Sequence, residues 1–276
     1  MRDTPHLPTT DETTLTHPPQ RQSGLKRLYA MGEMPPLGHV PARMHAWAIR
    51  RDRHGEPTTA MQLEVLPTPE IGERDVLVHV MAAGVNYNGV WAAMGAPLSP
   101  FDIHGEDVHV AGSDASGIVW AVGSKVKHWK VGDEVVVHCN QDDGDDADCN
   151  GGDPMLSPSQ RIWGYETPDG AFAQFCRVQS RQLLPRPKHL TWEESACYNL
   201  TFDARYVWMR QKRIQGSHFA TLKQATEANQ LMVEGRLDPC LSETFTWKDL
   251  PKAHQCMADN DHKPGNMAVL VQAPTI

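Results

Sequence analysis

The sequence predicts a mainly β fold with flanking helices (α+β), organised as a partly open β-barrel. Three observations carry that expectation. Short Val- and Ile-rich runs recur at roughly ten-residue spacing between Gly-containing turns. The 276 residues include 21 Gly and 21 Pro, a turn-rich composition. The C-terminal third changes character, with apolar residues at helical spacing after Thr221.

Residues 1–43 carry Pro5, Pro8, Pro18, Pro19, Pro35, Pro36 and Pro41 among Thr, Gln and Gly. They read as an extended arm, with a short helix over 25–31, that wraps a folded body rather than folding alone. Strand patterning begins near Met44. Val76, Val78 and Val80 alternate with Leu77, His79 and Met81, so this strand is expected to be buried on both faces. Ile118, Val119 and Val122 lead into a turn at Gly123-Ser124. Val131-Gly132-Asp133 makes a second turn, and Val135, Val136 and Val137 form the next buried strand. Thr221 with Gln224 has the form of a capping box. Leu222, Ala225, Ala228, Leu231 and Met232 then share one helical face, and Gly235 ends the helix. Thr246 with Asp249 marks another helix start, with Leu250, Ala253 and Met257 turned inward. Residues 267–271 read as a closing strand.

Asp plus Glu number 34 against 26 Lys plus Arg, a net charge of −8. That argues against nucleic acid as a partner, because phosphate binding needs a basic field. No stretch approaches the ~18 apolar residues of a membrane span. The polar opening residues lack the apolar core of a secretory signal, so a cytoplasmic location is expected. The six cysteines, at 139, 149, 176, 197, 240 and 256, form no C-x-x-C pair and read as reduced thiols. Asp146, Asp148, Asn150 and Gly151 follow the first half of a calcium loop. Ser157 stands where the bidentate Glu belongs and Pro154 interrupts the loop, so a solvated acidic loop over 142–148 is expected instead. His104 and His109 read as surface histidines.

The chemistry-bearing signal lies between Ala83 and Val137. Residues 111–119 read Ala-Gly-Ser-Asp-Ala-Ser-Gly-Ile-Val, followed by Val-Gly-Ser-Lys-Val at 122–126 and Lys-Val-Gly-Asp-Glu-Val at 130–135. With Ala83-Gly84-Val85-Asn86-Tyr87-Asn88, this order resembles the GroES-like catalytic domain of medium-chain dehydrogenases and reductases. Zinc-dependent members place a Cys and a Gly-His-Glu segment where this chain has Asn86-Tyr87-Asn88-Gly89 and Gly112-Ser113-Asp114, so no metal is expected. Four further stretches narrow the resemblance: residues 81–92, 160–170, 190–197 and 208–219, together with the Pro-rich arm. They are similar to the crotonyl-CoA (enoyl-CoA) carboxylase/reductases. That resemblance implies NADPH-dependent hydride transfer to a 2-enoyl-CoA such as crotonyl-CoA, then capture of CO2 by the enolate to give an alkylmalonyl-CoA such as ethylmalonyl-CoA. It also implies a CO2 pocket built from Asn86 or Asn88, Tyr165, Glu166 and His218. The sequence leaves open which asparagine faces inward. An Asn amide suits CO2 because it donates a hydrogen bond without supplying an acidic proton, and the Tyr165 backbone N–H offers a second donor.

One expected part is missing. No G-x-G-x-x-G occurs in the chain, and the 78 residues after Tyr198 are too few for a nucleotide-binding domain plus the closing catalytic segment. The expected organisation is an arm (1–43), a first catalytic segment (44–198) and a C-terminal segment (199–276), with a deletion junction near 198/199 and the Rossmann domain absent. The chain by itself is then expected to bind no NADPH tightly and to lack reductase activity. The resemblance implies homo-oligomers assembled through the nucleotide-binding domain. A monomer or weak dimer is therefore expected here, with Phe202, Tyr206, Val207, Trp208 and Met209 exposed. Two rival readings remain: a plain NADPH-dependent enoyl-CoA or quinone reductase, and a non-catalytic scaffold.

Overall fold

The structure is a computed structural model that describes residues 25–197 and 221–274. His218, the 198/199 junction and the apolar residues 202–209 lie outside the described residues.

Strand β1 (Arg43–Ile49) pairs antiparallel with β2 (Gln62–Pro67) and with β4 (His109–Val110). The larger sheet centres on β3 (Asp75–Val85), which has three partners. Along one edge runs β5 (Ala115–Val122). On the other side, β9 (Phe175–Gln179) covers its first half and β12 (Asn266–Leu270) its last four residues. Beyond β5 lie β6 (Glu134–Val137) and β10 (Leu183–Pro185). Beyond β12 lies β11 (Leu241–Phe245), paired parallel with it. A ribbon of β7 (Asn140–Gln141) and β8 (Arg161–Ile162) flanks the sheets. The sheets curl about one core that includes Trp120, Trp163, Phe101, Phe172 and Phe175, without closing a barrel. Both faces of β3 are buried, with Val76, Val78 and Val80 on one and Leu77, His79 and Met81 on the other, as expected of a central strand.

Among the described residues, six α-helices flank the sheets. They are α1 (Pro57–Ala60), α2 (Tyr87–Met94), α3 (Pro100–His104), α4 (Trp192–Ser195), α5 (Leu222–Val233) and α6 (Leu250–Ala258). The Thr221–Gln224 capping box is formed in both directions, and Gly235 takes φ 67° just past the end of α5. The buried face of α5 differs from the expected one. Leu222 is exposed, whereas Asn229 is buried and donates to Pro185 O at 2.9 Å. No helix forms over 25–31. Backbone groups there bond to the sheets instead: Arg43 N donates to Arg27 O (2.9 Å) and Gln174 Nε2 to Tyr29 O (3.2 Å). The acidic loop also departs from a fully solvated one, because Asp142 is buried against Arg181 at 2.6 Å.

The histidines are the larger correction. His109 is fully buried, and His104 is half-buried and stacked on it. The Glu106 N–H donates to His104 Nδ1 (3.0 Å), so the His104 proton sits on Nε2 and is donated to His109 Nδ1 (3.2 Å). Burial, with His104 and His54 nearby, pushes the His109 pKa down to about 3. His79 lies between Trp120 and Phe175, at 4.7 and 4.8 Å between ring centroids, with neither ring nitrogen partnered. Burial lowers its pKa to about 4, and that of the equally buried His254 to about 4.

An unfolded chain protonates these rings near pH ~6.5, whereas the folded chain resists until far lower pH. Their contribution to stability is therefore complete above that value and is lost as pH falls toward the folded pKa values. The loss amounts to about 1.4 kcal/mol per pH unit for each ring. Urea unfolding followed from neutral pH downward should show this slope, and His79→Phe should remove one ring's share of it.

Candidate active site

The site is built where α2 starts. Asn86 caps the helix: its Oδ1 accepts from Asn88 N at 3.1 Å. Its Nδ2 donates to Asp114 Oδ2 at 2.6 Å and to Ser113 Oγ at 3.1 Å. Every hydrogen-bonding atom of the Asn86 side chain except one acceptor lone pair is therefore committed. Asn88 is different. Its Nδ2 donates once, to Ser113 Oγ at 3.0 Å, which leaves its second N–H open. Tyr87, between the two, is exposed and reaches Met257 O with its hydroxyl. On these hydrogen bonds Asn86 is the turn residue and anchor, and among the described residues Asn88 keeps one N–H without an acceptor.

Ser113 and Asp114 follow β4 in a sharp bend. Gly112 there has φ +106°, and a Cβ on it would lie 2.9 Å from Phe172 Cδ1. The Gly112 carbonyl is met by Gly164, where a Cβ would lie 2.0 Å from that oxygen. This backbone crossing brings the 163–166 turn against the segment that carries Ser113. Part of Asp114 reaches the surface, but its carboxyl is desolvated, which raises its pKa, while the Asn86 amide pulls it back down.

Tyr165 and Glu166 lie on that turn. Tyr165 is 6% exposed and donates its hydroxyl to Leu98 O at 2.8 Å, tying the turn to the loop after α3's N-terminal neighbour, α2. Its backbone N–H is not open, because it donates to Ile162 O at 3.2 Å. The expected second donor is therefore spent within the turn. Glu166 Oε2 accepts from Ile162 N at 2.7 Å, closing the same turn. The structure thus brings Asn86, Asn88, Tyr165 and Glu166 onto adjoining segments. The sequence reading treats Ser113 and Asp114 only as residues unable to bind zinc. The structure makes them the hub that orients both asparagines. Their position in the Gly-x-x motif of a tight bend is the signal that marks them.

Cys139, beside this cluster, has its thiol pKa pushed up to about 12, by burial first and by Asp114 second, so it is no nucleophile. Among the described residues, one group has metal-ligand spacing: Asp143, Asp146 and Cys149, in the acidic loop and away from α2.

Residues 72–188 match the alcohol dehydrogenase GroES-like domain. The crotonyl-CoA carboxylase/reductase of Cereibacter sphaeroides is 46% identical over 397 residues, covering 90% of this chain and 92% of that protein. The chain belongs to the crotonyl-CoA carboxylase/reductase family. A solved crotonyl-CoA carboxylase/reductase of the family superposes with a TM-score of 0.83 at 46% identity, covering 91% of this chain and 93% of that one. A second, AntE, solved in complex with NADP, gives a TM-score of 0.79 at 31% identity over 91% of this chain and 100% of that one. The crotonyl-CoA reductase of Streptomyces avermitilis is 40% identical over 176 residues, or 59% of this chain and 39% of that protein. The alignment with the Cereibacter family member, at 397 residues, is longer than the 276 residues of this chain, so it carries long gaps on this chain's side.

The two asparagines should separate by stability. Asn86→Ala removes a helix cap and strands the Asp114 carboxyl, at an expected cost of about 2–3 kcal/mol. Asn88→Ala should cost less than about 1 kcal/mol, because it removes one hydrogen bond of a half-buried side chain. Urea unfolding of both variants near neutral pH checks the order.

Proposed function

We propose that this chain is the CO2-holding catalytic domain of a reductive carboxylase for 2-enoyl-CoA thioesters, separated from its nucleotide-binding domain by an internal deletion. One observation carries the reading: Asn88 keeps an open amide N–H at the positive end of α2. An N–H there can meet an oxygen that turns from CO2 into carboxylate. Tyr165 walls the site with a buried ring, and its hydroxyl, held by Leu98 O, has no part in proton transfer. Glu166 keeps one carboxylate oxygen beyond its bond to Ile162, which can hold a bridging water for the second CO2 oxygen.

NADPH supplies a hydride to the β-carbon when it is bound by an intact member of the family. The residues of this chain do not fit it. The sequence has no G-x-G-x-x-G. Among the described residues, the one parallel crossover, β11–α6–β12, enters its helix through Thr246-Trp247-Lys248-Asp249, without the glycines that let a pyrophosphate approach a helix N-terminus. The gaps in the Cereibacter alignment are further support for a missing internal segment. Carboxylation is favoured over plain reduction because the site offers amide donors rather than an acid, so an enolate here meets a carbon electrophile before a proton.

Two measurements test this. Fluorescence titration with NADPH should show no saturable binding by this chain; tight binding overturns the deletion reading. Infrared spectra of the chain under 13CO2 should show a protein-bound band, and Asn88→Ala should weaken that binding about tenfold, as loss of a directed donor does. A band untouched by that substitution overturns the role of Asn88.

A further inference from the structure

The groove between α1, α2 and the end of α6 carries an inference that goes beyond the CO2-binding reading and does not rest on it. Its volume is about 400 Å³, the size of a small-molecule site, and Glu56, Tyr87, Val90, Trp91, Met94 and Asp259 line it. Two aromatic rings form part of the wall. Tyr87 is 46% and Trp91 41% exposed, so their faces are open to a ligand. The rings lie 6.0 Å apart between centroids and are tilted by 49°, which makes a corner rather than a stack. The Tyr87 hydroxyl donates to Met257 O at 3.2 Å and ties that corner to the last turn of α6. The groove also carries two acids. Glu56, just before α1, and Asp259, just after α6, are both exposed. They converge on one neutral donor, Gln255 Nε2, at 2.8 and 3.1 Å. Among the described residues, no Lys, Arg or His forms an ion pair with either carboxylate, and none lines the groove.

This placement of charge costs stability in the chain alone. Two carboxylates meet at the C-terminal end of α6, where the helix dipole is already negative and favours a cation. A neutral amide holds them together without cancelling their charge. A cation seated beside them relieves the repulsion and gains the attraction of the ring faces, strongest for Trp. An anion is repelled here, and a neutral apolar molecule leaves the acids unmet. We propose that this groove binds a small organic cation, an ammonium group carried on a compact apolar body. Its charge is held by Glu56, Asp259 and the faces of Tyr87 and Trp91, and its apolar part rests on Val90 and Met94.

The test titrates the full chain with choline and with its uncharged carbon analogue, neohexyl alcohol, at constant ionic strength, read by ligand NMR line widths. Choline should bind saturably and the alcohol about tenfold more weakly. Glu56→Gln combined with Asp259→Asn should lower choline affinity about tenfold, and Trp91→Leu, which keeps an apolar wall, about threefold. Thermal unfolding gives a second readout. Without choline the double variant should melt no lower than the parent chain, because it loses a repulsion; with choline only the parent should gain stability. Equal binding of the alcohol overturns the proposal, since the groove is then merely apolar. So does a double variant that binds choline as the parent does, or one that melts lower without choline, since the acids are then structural. Absence of saturable choline binding overturns it outright, and leaves CO2 binding at Asn88 untouched.

Discussion

A desolvated carboxylate needs a donor, and at Asp114 that donor is the Asn86 amide at 2.6 Å. The rest of the site depends on this one bond. It fixes which way the Asn86 amide faces, because a carbonyl oxygen turned to the carboxylate would repel it. With the amide fixed, its carbonyl caps α2 and its second N–H goes to Ser113. The oxygen of Ser113 then holds Asn88 in place. A chain of four side chains is thus oriented from its buried end outward, and the last member keeps an N–H to offer.

The backbone makes this possible at a single crossing. Gly112 and Gly164 approach too closely for any Cβ, and the segments they belong to carry Ser113 and Asp114 on one side and Tyr165 and Glu166 on the other. Strand β3 supplies the second constraint. Its C-terminal residues are gripped by β5 and β12, so the point where the chain leaves the sheet for α2 is set by strands on both sides. None of these supports comes from a nucleotide-binding layer. The asparagine–serine–aspartate cluster is therefore held by contacts within the sheets and α2 themselves.

Much of the fold was legible because its signals are local. The Val alternation over 76–81 has no reading other than a strand buried on both faces, and β3 is that strand. The Thr221–Gln224 pair caps a helix whatever surrounds it. What escaped the sequence depends on distant partners. Residues 25–31 have a helical composition, yet their carbonyls are taken by Gln174 and the Arg43 N–H, which only the folded sheets bring near. His109 looked like a surface residue because nothing in sequence announces that His104 and Phe101 will enclose it. The motif located Asn86 and Asn88 but did not rank them. The rank comes from Ser113 and Asp114, some 25 residues away in sequence.

The same comparison explains the chemical bias of the site. To capture CO2, an enolate must meet no acid first. The tyrosine hydroxyl on the turn is committed to Leu98 O, and burial raises its pKa, so its proton is held. Cys139 is raised likewise. His254 and His109, the histidines packed behind α2 and the 163–166 turn, are held neutral by burial. Asp114 is turned to Asn86. The donor that remains is the Asn88 amide N–H, a group that stabilises negative charge without giving up a proton on the timescale of C–C bond formation. A site meant for simple reduction has the opposite need, since its enolate must be protonated to finish the reaction. The tyrosine, cysteine and histidines described around Asn88 thus hold their protons or carry none to give, and this supports the proposed carboxylation over plain reduction.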